Sequence, residues 1–270
     1  MIKLDGFVDP SKPASEIANT PVVSCSENDS IRNAIAMTLN GFSRIVVSEG
    51  GEMRGFLTSM EILDFLGAGP SYQLYVRYSK GLDLPVSSIM KRVWHPLDKK
   101  HSVMEALKMF QKHGRDFHPI MEKGKFSGII SEMDFLRHLN QPLGIKTWEV
   151  MDRKPITVKS HYTVLDAAKM LCRGEFRFLP VVKDSFIVGV VTPYDIISYL
   201  NKGPGLNNLR KADADSAAAM KRDFLSVEPE TDLHEAVRLM NRNNLSGIPV
   251  SDEGEMLGLV TRRDVVDLLS

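Results

Sequence analysis

Four short stretches of the chain place a Ser or Thr three residues ahead of a carboxylate, each behind a glycine and two apolar residues: GFLTSME (55–61), GIISEMD (128–134), GVVTPYD (189–195) and GLVTRRD (258–264). Two uses of that spacing are open. A Ser/Thr-x-x-Asp/Glu that opens an apolar run is a capping box, whose hydroxyl and carboxylate satisfy backbone N–H groups at a helix start. In GVVTPYD, Thr192 would cap, Pro193 suits the first helical position and Asp195 returns a bond to the backbone. The same atoms can instead hold a ligand. A ribose offers two neighbouring hydroxyl donors, and a carboxylate has two acceptor oxygens. A hydroxyl beside the free N–H groups of a helix start suits a phosphate. On this reading the candidates are Ser131 with Asp134, Thr192 with Asp195, and Thr261 with Asp264. Glu61 behind Thr58 is one methylene longer and suits a capping box better than a ribose.

The elements that must position these residues repeat as well. An alanine stands 21 or 22 residues before each glycine (Ala34, Ala106, Ala167, Ala236), inside an apolar set at helical spacing such as Val164/Ala167/Ala168/Leu171. SVME (102–105), TVLD (163–166) and DLHE (232–235) put a capping residue three before a carboxylate at the helix start, and SIRN (30–33) is a weaker version. Strand patterns follow each helix, RIVVS (44–48), FHPIM (117–121), FLPVV (178–182) and GIPVS (247–251), then a turn, the glycine phrase as a further strand, and a second helix. Met90, Met151 and Met220 each lie 38 residues ahead of a glycine and lead into VWHPL, KPITV and DFLSV; the first unit has NTPVVS (19–24) without the methionine. The expected fold class is mixed α/β (α+β), built from four β-α-β-β-α units of roughly 50 residues each.

A longer period overlies the short one. Gly128 to Gly258 and Met90 to Met220 both span 130 residues, and glycine-rich linkers, GAGPSYQ (67–73) and GPGLNNL (203–209), follow only the first and third units. A duplicated pair accounts for this: units at about 15–67 and 84–140 form residues 1–140, and units at about 145–201 and 215–270 form residues 141–270. Pairing is expected because one such unit buries too little surface to be secure alone.

Composition narrows the function. Lys plus Arg and Asp plus Glu both count 34, which argues against a general nucleic-acid-binding surface. Two cysteines, Cys25 and Cys172, are no disulfide framework, and Cys172 near the end of a helical face is expected as buried filler. The first residues have no signal-peptide core and no apolar run approaches the ~20 residues of a membrane span, so a soluble, cytoplasmic protein is expected. The seven histidines show no HExxH or other paired ligand spacing, and His118, inside a strand pattern, is expected to be packed. Neither a Walker loop nor G-x-S-x-G is present. The expectation is a protein that is not an enzyme and carries no metal and no catalytic cofactor.

The ordered pattern VMDRKPITV…TVLDAAKML…FRFLPVV…IVGVVTPYDII resembles the cystathionine-β-synthase-type (CBS) domain, and all four units match it. The resemblance implies that two domains pair through their sheets into a Bateman module. Two clefts in each module commonly take an adenosine compound: AMP, ADP, ATP, S-adenosylmethionine or methylthioadenosine. It implies that the acidic residue of the repeated phrase binds ribose and that its Ser or Thr lies by the phosphate. A basic residue just before the middle strand faces phosphate, here Arg44 and Arg177, with Asp116 and Ser246 near that place in the other units. Arg262 and Arg263 flank the last helix start and could assist. The adenine slot falls to the first strand of the partner unit, here Pro155 and Ile156, with Met151 close by. The implied function is ligand sensing by a regulatory protein, as a homodimer and with an unidentified regulated partner. The alternative is an interaction scaffold whose clefts are degenerate and empty.

Overall fold

The computed structural model describes residues 1–18, 22–78, 81–92, 95–211 and 214–270. The beginning of NTPVVS (19–21) and of VWHPL (93–94) lies outside the described residues.

Repeat one runs β1 (Val23–Cys25), α1 (Ile31–Leu39), β2 (Arg44–Glu49), β3 (Glu52–Thr58) and α2 (Ser59–Leu63), followed by a short helix α3 (Tyr72–Arg77). Repeat two runs β4 (Leu97–Asp98), α4 (Val103–His113), β5 (Phe117–Glu122), β6 (Lys125–Ser131) and α5 (Glu132–Leu136). A short helix α6 (Thr147–Val150) leads into repeat three, with β7 (Val158–Lys159), α7 (Val164–Gly174), β8 (Leu179–Lys183), β9 (Phe186–Val191) and α8 (Pro193–Lys202). Repeat four has α9 (Leu233–Arg242), β10 (Gly247–Asp252), β11 (Glu255–Thr261) and α10 (Arg262–Leu268), with a single parallel bridge from Val227 to Val250 where the others have a first strand.

The first strand of each of the first three repeats runs parallel to the second, and the second pairs antiparallel with the third in all four. A parallel pair needs a crossover, which the first helix supplies; the antiparallel pair needs only the tight turn that EGGE, EKGK, KDS and DEGE provide. The repeated glycine always faces the residue just before a register shift: Gly55 opposite Val47, Gly128 opposite Ile120, Gly189 opposite Val181, Gly258 opposite Val250. First-helix caps follow the sequence in part. Ser102/Glu105 and Thr163/Asp166 close capping boxes and Ser30 caps Asn33. Asp232 caps His234 and also takes the N–H groups of Leu143 and Gly144, while Glu235 turns to Arg238 instead of completing a box. The glycine-rich segment after repeat one is more than a linker: it leads into α3, where Tyr72 and Tyr75 stack.

The chain divides into two compact units that interleave in sequence. One holds Met1–Pro21, Trp94–Pro155 and Leu225–Ser270, so it contains the helices and sheets of repeats two and four. Its core joins Val103, Leu107 and Phe110 of α4, Phe135 of α5, Val237 and Met240 of α9 and Val265 of α10, and Ile2 and Leu269 close it. The other holds Val22–Val93 and Ile156–Phe224, repeats one and three, with a core of Ile31 and Ile35 from α1, Ile62 and Leu63 from α2, Leu171 from α7 and Ile197 and Leu200 from α8. Each apolar helix stripe needs a facing stripe, and two repeats per core supply it. Ala34, Ala106, Ala167 and Ala236 are all buried there. Sequence period groups the repeats by halves; the cores group alternate repeats. The leader before each later repeat belongs to the unit that holds its sibling's sheet, as with Met90 and Lys91 in the unit of repeat one.

Candidate functional site

A side chain has no room at three of the four repeated glycines. A Cβ on Gly189 would lie 2.8 Å from the Lys221 carbonyl oxygen and 2.8 Å from Met220 Sδ. On Gly258 it would lie 2.6 Å from Met151 Sδ and 2.7 Å from the Asp152 carbonyl oxygen, and on Gly55 2.6 Å from the Lys91 carbonyl oxygen. None of these glycines has left-handed backbone, so close approach explains them. The visitor is a leader. The residue after the glycine and the residue after the methionine exchange two backbone hydrogen bonds: Phe56 with Lys91 (3.0 and 2.9 Å), Val190 with Lys221 (3.0 and 2.7 Å), Leu259 with Asp152 (3.0 and 2.9 Å). The methionines therefore do not serve their own repeats. Met90, leading repeat two, sits on the glycine of repeat one; Met220 sits on repeat three and Met151 on repeat four. Gly128 has nothing within 4 Å among the described residues, and the leader without a methionine is the one whose residues 19–21 are not described.

All four Ser/Thr–acid pairs are capping boxes, and each uses one carboxylate oxygen. Glu61 Oε2 accepts from Thr58 N and Oγ1 at 2.8 and 2.5 Å, and Asp134 Oδ2 accepts from Ser131 N and Oγ at 2.7 and 2.8 Å. Asp195 Oδ2 accepts from Thr192 N and Oγ1 at 2.9 and 2.6 Å, and Asp264 Oδ2 from Thr261 N and Oγ1, both at 2.7 Å. The second oxygen separates the repeats. Glu61 Oε1 is 3.1 Å from Lys91 Nζ, and Asp134 Oδ1 is 3.1 Å from Arg137 Nη1. Asp195 Oδ1 and Asp264 Oδ1 have no hydrogen bond or ion pair among the described residues, and both side chains are half-buried whereas Asp134 is fully buried and Glu61 is 8% exposed. One open oxygen carries two lone pairs, enough for a vicinal diol. Capping and ligand binding are thus compatible in repeats three and four, while a cation already holds the acid in repeats one and two.

Electrostatics differ between the two open carboxylates. Burial pushes the Asp195 carboxyl above its ordinary range, against the Thr192 hydrogen bonds and the Lys221 ammonium. Burial also raises Asp264, against the Thr261 hydrogen bonds, and there the neighbouring charges of Asp267 and Asp152 push the same way as burial.

The arginines expected near phosphate are placed differently from one another. Arg44 lies opposite Thr58. Counting back from Val181 opposite Gly189, the residue at that register in repeat three is Phe178, and Arg177 stands one earlier, level with Ser43, Asp116 and Ser246. One step along a strand reverses the face, so the two arginines are not equivalent. Arg262, 4% exposed, reaches the Met240 carbonyl (3.5 Å) and Asn244 Oδ1 (3.3 Å) at the end of α9. Arg263 donates to the Phe110 and Gln111 carbonyls at the end of α4 (2.6 and 3.1 Å) and pairs with Asp267 at 2.9 Å. A cation at a helix C-terminus answers its unpaired carbonyls and dipole, and that is where the structure spends both residues.

Met151 is half-buried on Gly258, in the same compact unit as Thr261 and Asp264, and half-buried Pro155 ends that segment. Ile156 begins the segment belonging to the other unit and is 51% exposed. Its counterpart in the next leader, Leu225, is 38% exposed; two apolar side chains left open at equivalent positions suit an apolar slot. Sequence reasoning missed Leu225 and missed the residues after the methionines, Lys91, Lys221 and Asp152. The signal was the fixed offset within IMKR, AMKR and VMDR.

Among the described residues no group of three or more His, Cys, Asp or Glu is placed to hold a metal, and no helix is long and apolar enough to cross a membrane. Burial pushes the Cys25 thiol up to about 11 and the Cys172 thiol up to about 12, so neither is a nucleophile at neutral pH. His118 is packed, its ring edge-on to Phe110 at 4.6 Å between centroids.

A family model for the CBS domain matches residues 14–68, 86–141, 148–202 and 216–270. The uncharacterized protein MJ1225 of Methanocaldococcus jannaschii is 27% identical over 268 residues, 92% of this chain and 95% of its own. An uncharacterized 33.4 kDa protein in the ribosomal RNA operon of Thermofilum pendens is 23% identical over 87% of this chain and 83% of its own. The crystal structure of MJ1225, described as a candidate archaeal homolog of g-AMPK, superposes with a TM-score of 0.85 at 26% identity, covering 95% of this chain and 99% of that one. An uncharacterized conserved protein from Pyrococcus horikoshii has the same fold, with a TM-score of 0.62 at 18% identity over 95% of this chain and 99% of its own.

Proposed function

The chain belongs to the CBS-domain family, with four copies of the domain, and we propose that it is a regulatory protein that senses an adenosine compound. The observation that carries this reading is the open carboxylate oxygen of Asp195 and of Asp264, each fixed by its own Thr and left available to a ribose diol. The exposed Ile156 and Leu225 support an apolar slot for the base. The likeness to MJ1225 supports a regulatory rather than catalytic role. The modules would be residues 1–140 and 141–270, each made of two of the domains, and the protein would act in the cytoplasm as a homodimer on a partner protein. Arg177 fits a phosphate better than Arg44 does, because Glu61 of repeat one is already held by Lys91.

A second reading applies to repeats one and two. The contacts Lys91–Glu61 and Arg137–Asp134 favour clefts that bind no ribose there and serve as scaffold.

Thermal unfolding against AMP, ADP, ATP, S-adenosylmethionine, methylthioadenosine and a guanosine control tests the proposal. A compound at 100 times its Kd stabilises by about 2.7 kcal/mol. Asp195→Asn and Asp264→Asn keep an acceptor for the cap but lose the charged second oxygen. A hydrogen bond to a charged group is worth roughly 1.5–3 kcal/mol, so calorimetric affinity falls about 10- to 100-fold. Glu61→Gln and Asp134→Asn leave it unchanged. Equal losses in all four variants, or in none, would remove the site from Asp195 and Asp264.

A further inference from the structure

The residue that follows each leader methionine is held in one register by the paired backbone bonds on the repeated strand. Repeat one shows how far its side chain reaches: Lys91 Nζ comes to 3.1 Å from Glu61 Oε1, on the oxygen the cap does not use. The same place holds Lys221 beside Asp195 and Asp152 beside Asp264. Lys221 is exposed and makes no ion pair among the described residues. Asp152 is fixed by the Lys154 N–H, which donates to its Oδ1 at 2.9 Å, and the intervening Arg153 turns away to the Trp148 carbonyl and ring. Asp267, the other acid near Asp264, is paired with Arg263, whereas Asp152 makes no ion pair among the described residues. In the other, Lys221 is the charged neighbour that acts on the Asp195 carboxyl.

We propose that this one position sorts the two clefts by ligand charge: Lys221 fits the Asp195 cleft to an adenosine compound bearing phosphate, and Asp152 fits the Asp264 cleft to one that is neutral or positively charged. The inference rests on the proposed ribose sites and adds their selectivity. A lysine near the ribose-binding carboxylate lowers the potential energy of an anion and raises that of a cation; an aspartate does the reverse. The two clefts then respond to different members of one chemical class.

The clefts are read one at a time by calorimetry on the full chain, with Asp264→Asn to isolate the Asp195 cleft and Asp195→Asn to isolate the other. The probes are AMP as the anion, adenosine as the neutral reference and S-adenosylmethionine as the cation-bearing compound. Lys221→Asp in the first background weakens AMP about tenfold and leaves adenosine within about twofold, and the loss shrinks at high salt. Asp152→Lys in the second background strengthens AMP about tenfold and weakens S-adenosylmethionine. If adenosine and AMP change together in either swap, the position acts on the shape of the cleft and the inference fails while the ribose sites stand. If the unmodified chain binds no adenosine compound, the ribose sites fail and the selectivity with them.

Discussion

Gly189→Val unfolds at a markedly lower temperature than the parent chain, and Gly258→Val does the same. The two sites have no free space for a Cβ. The nearest atoms at Gly189 are the Lys221 carbonyl oxygen and Met220 Sδ, both at 2.8 Å; at Gly258 they are Met151 Sδ at 2.6 Å and the Asp152 carbonyl oxygen at 2.7 Å. A methionine sulfur can swing aside, but the carbonyls cannot. Each accepts from the residue after the glycine at 3.0 Å, and the returning bonds are 2.7 and 2.9 Å. Moving the leader away breaks both bonds, and keeping it forces a sub-contact clash. Overpacking of this kind costs about 3 kcal/mol. For a chain of this size that is a drop of roughly 6–12 °C in Tm. The same displacement removes Lys221 or Asp152 from its cleft, so adenosine-compound binding at that cleft falls in the surviving folded protein. A Gly189→Val protein with unchanged Tm would show that the leader is not seated as described, and the selectivity argued from Lys221 would go with it.

How much of this is legible in the sequence follows from the range of each interaction. The capping boxes are local, three residues apart, and Thr192/Asp195 and Thr261/Asp264 could be read directly. Strand order inside a repeat was also legible, because apolar period and turn residues are local signals. Which glycine a methionine serves was not. The 38-residue spacing ties Met90 to Gly128, but Met90 packs on Gly55, and only tertiary pairing reveals that leaders are exchanged. Arg44 and Arg177 both precede a strand pattern, yet one residue of register separates them, and sequence carries no ruler that fine without the bulges and partners. The most useful distinction, a second carboxylate oxygen held at Glu61 and Asp134 but open at Asp195 and Asp264, depends on Lys91 from a distant segment and on the rotamer of Arg137. Arg262 follows Thr261 in sequence, and on a helix start the neighbouring side chain points to another face, here the end of α9.

Acid destabilises the chain between about pH 6.5 and pH 4, and His118→Ile removes much of that loss. His118 is 1% exposed on β5, at the register held by Ile45, Leu179 and Ile248 in the other repeats, all buried. Its Nδ1 lies 2.7 Å from the His95 carbonyl, which can only accept, so Nδ1 carries the proton and Nε2 is the bare nitrogen; that atom is buried with no partner among the described residues. A second proton would bury a charge beside the Phe110 ring and near the His113 and His95 rings and Arg115, all cations when protonated. Burial first, then those neighbours, push the His118 pKa down to about 4 against the help of the His95 carbonyl. The sign is fixed by where the proton binds first. The unfolded chain takes it near pH 6.5, the folded chain only near 4, so the unfolded state binds more protons in that window and stability falls with falling pH, then levels off below it. A shift of this size corresponds to about 3 kcal/mol once both states are protonated. Asp195 and Asp264, whose carboxyls burial raises, act in the opposite sense at lower pH, so the informative quantity is the difference between parent and His118→Ile measured by denaturant unfolding at each pH. Isoleucine fits the register and removes the buried base, at the cost of the His95 carbonyl's donor. The parent and variant curves diverge above pH 6.5 by that one hydrogen bond, about 1 kcal/mol in the parent's favour, and cross as pH falls toward 4. Parallel curves across the whole range would mean that His118 titrates in the folded chain as it does in the unfolded one, contrary to its place in the core.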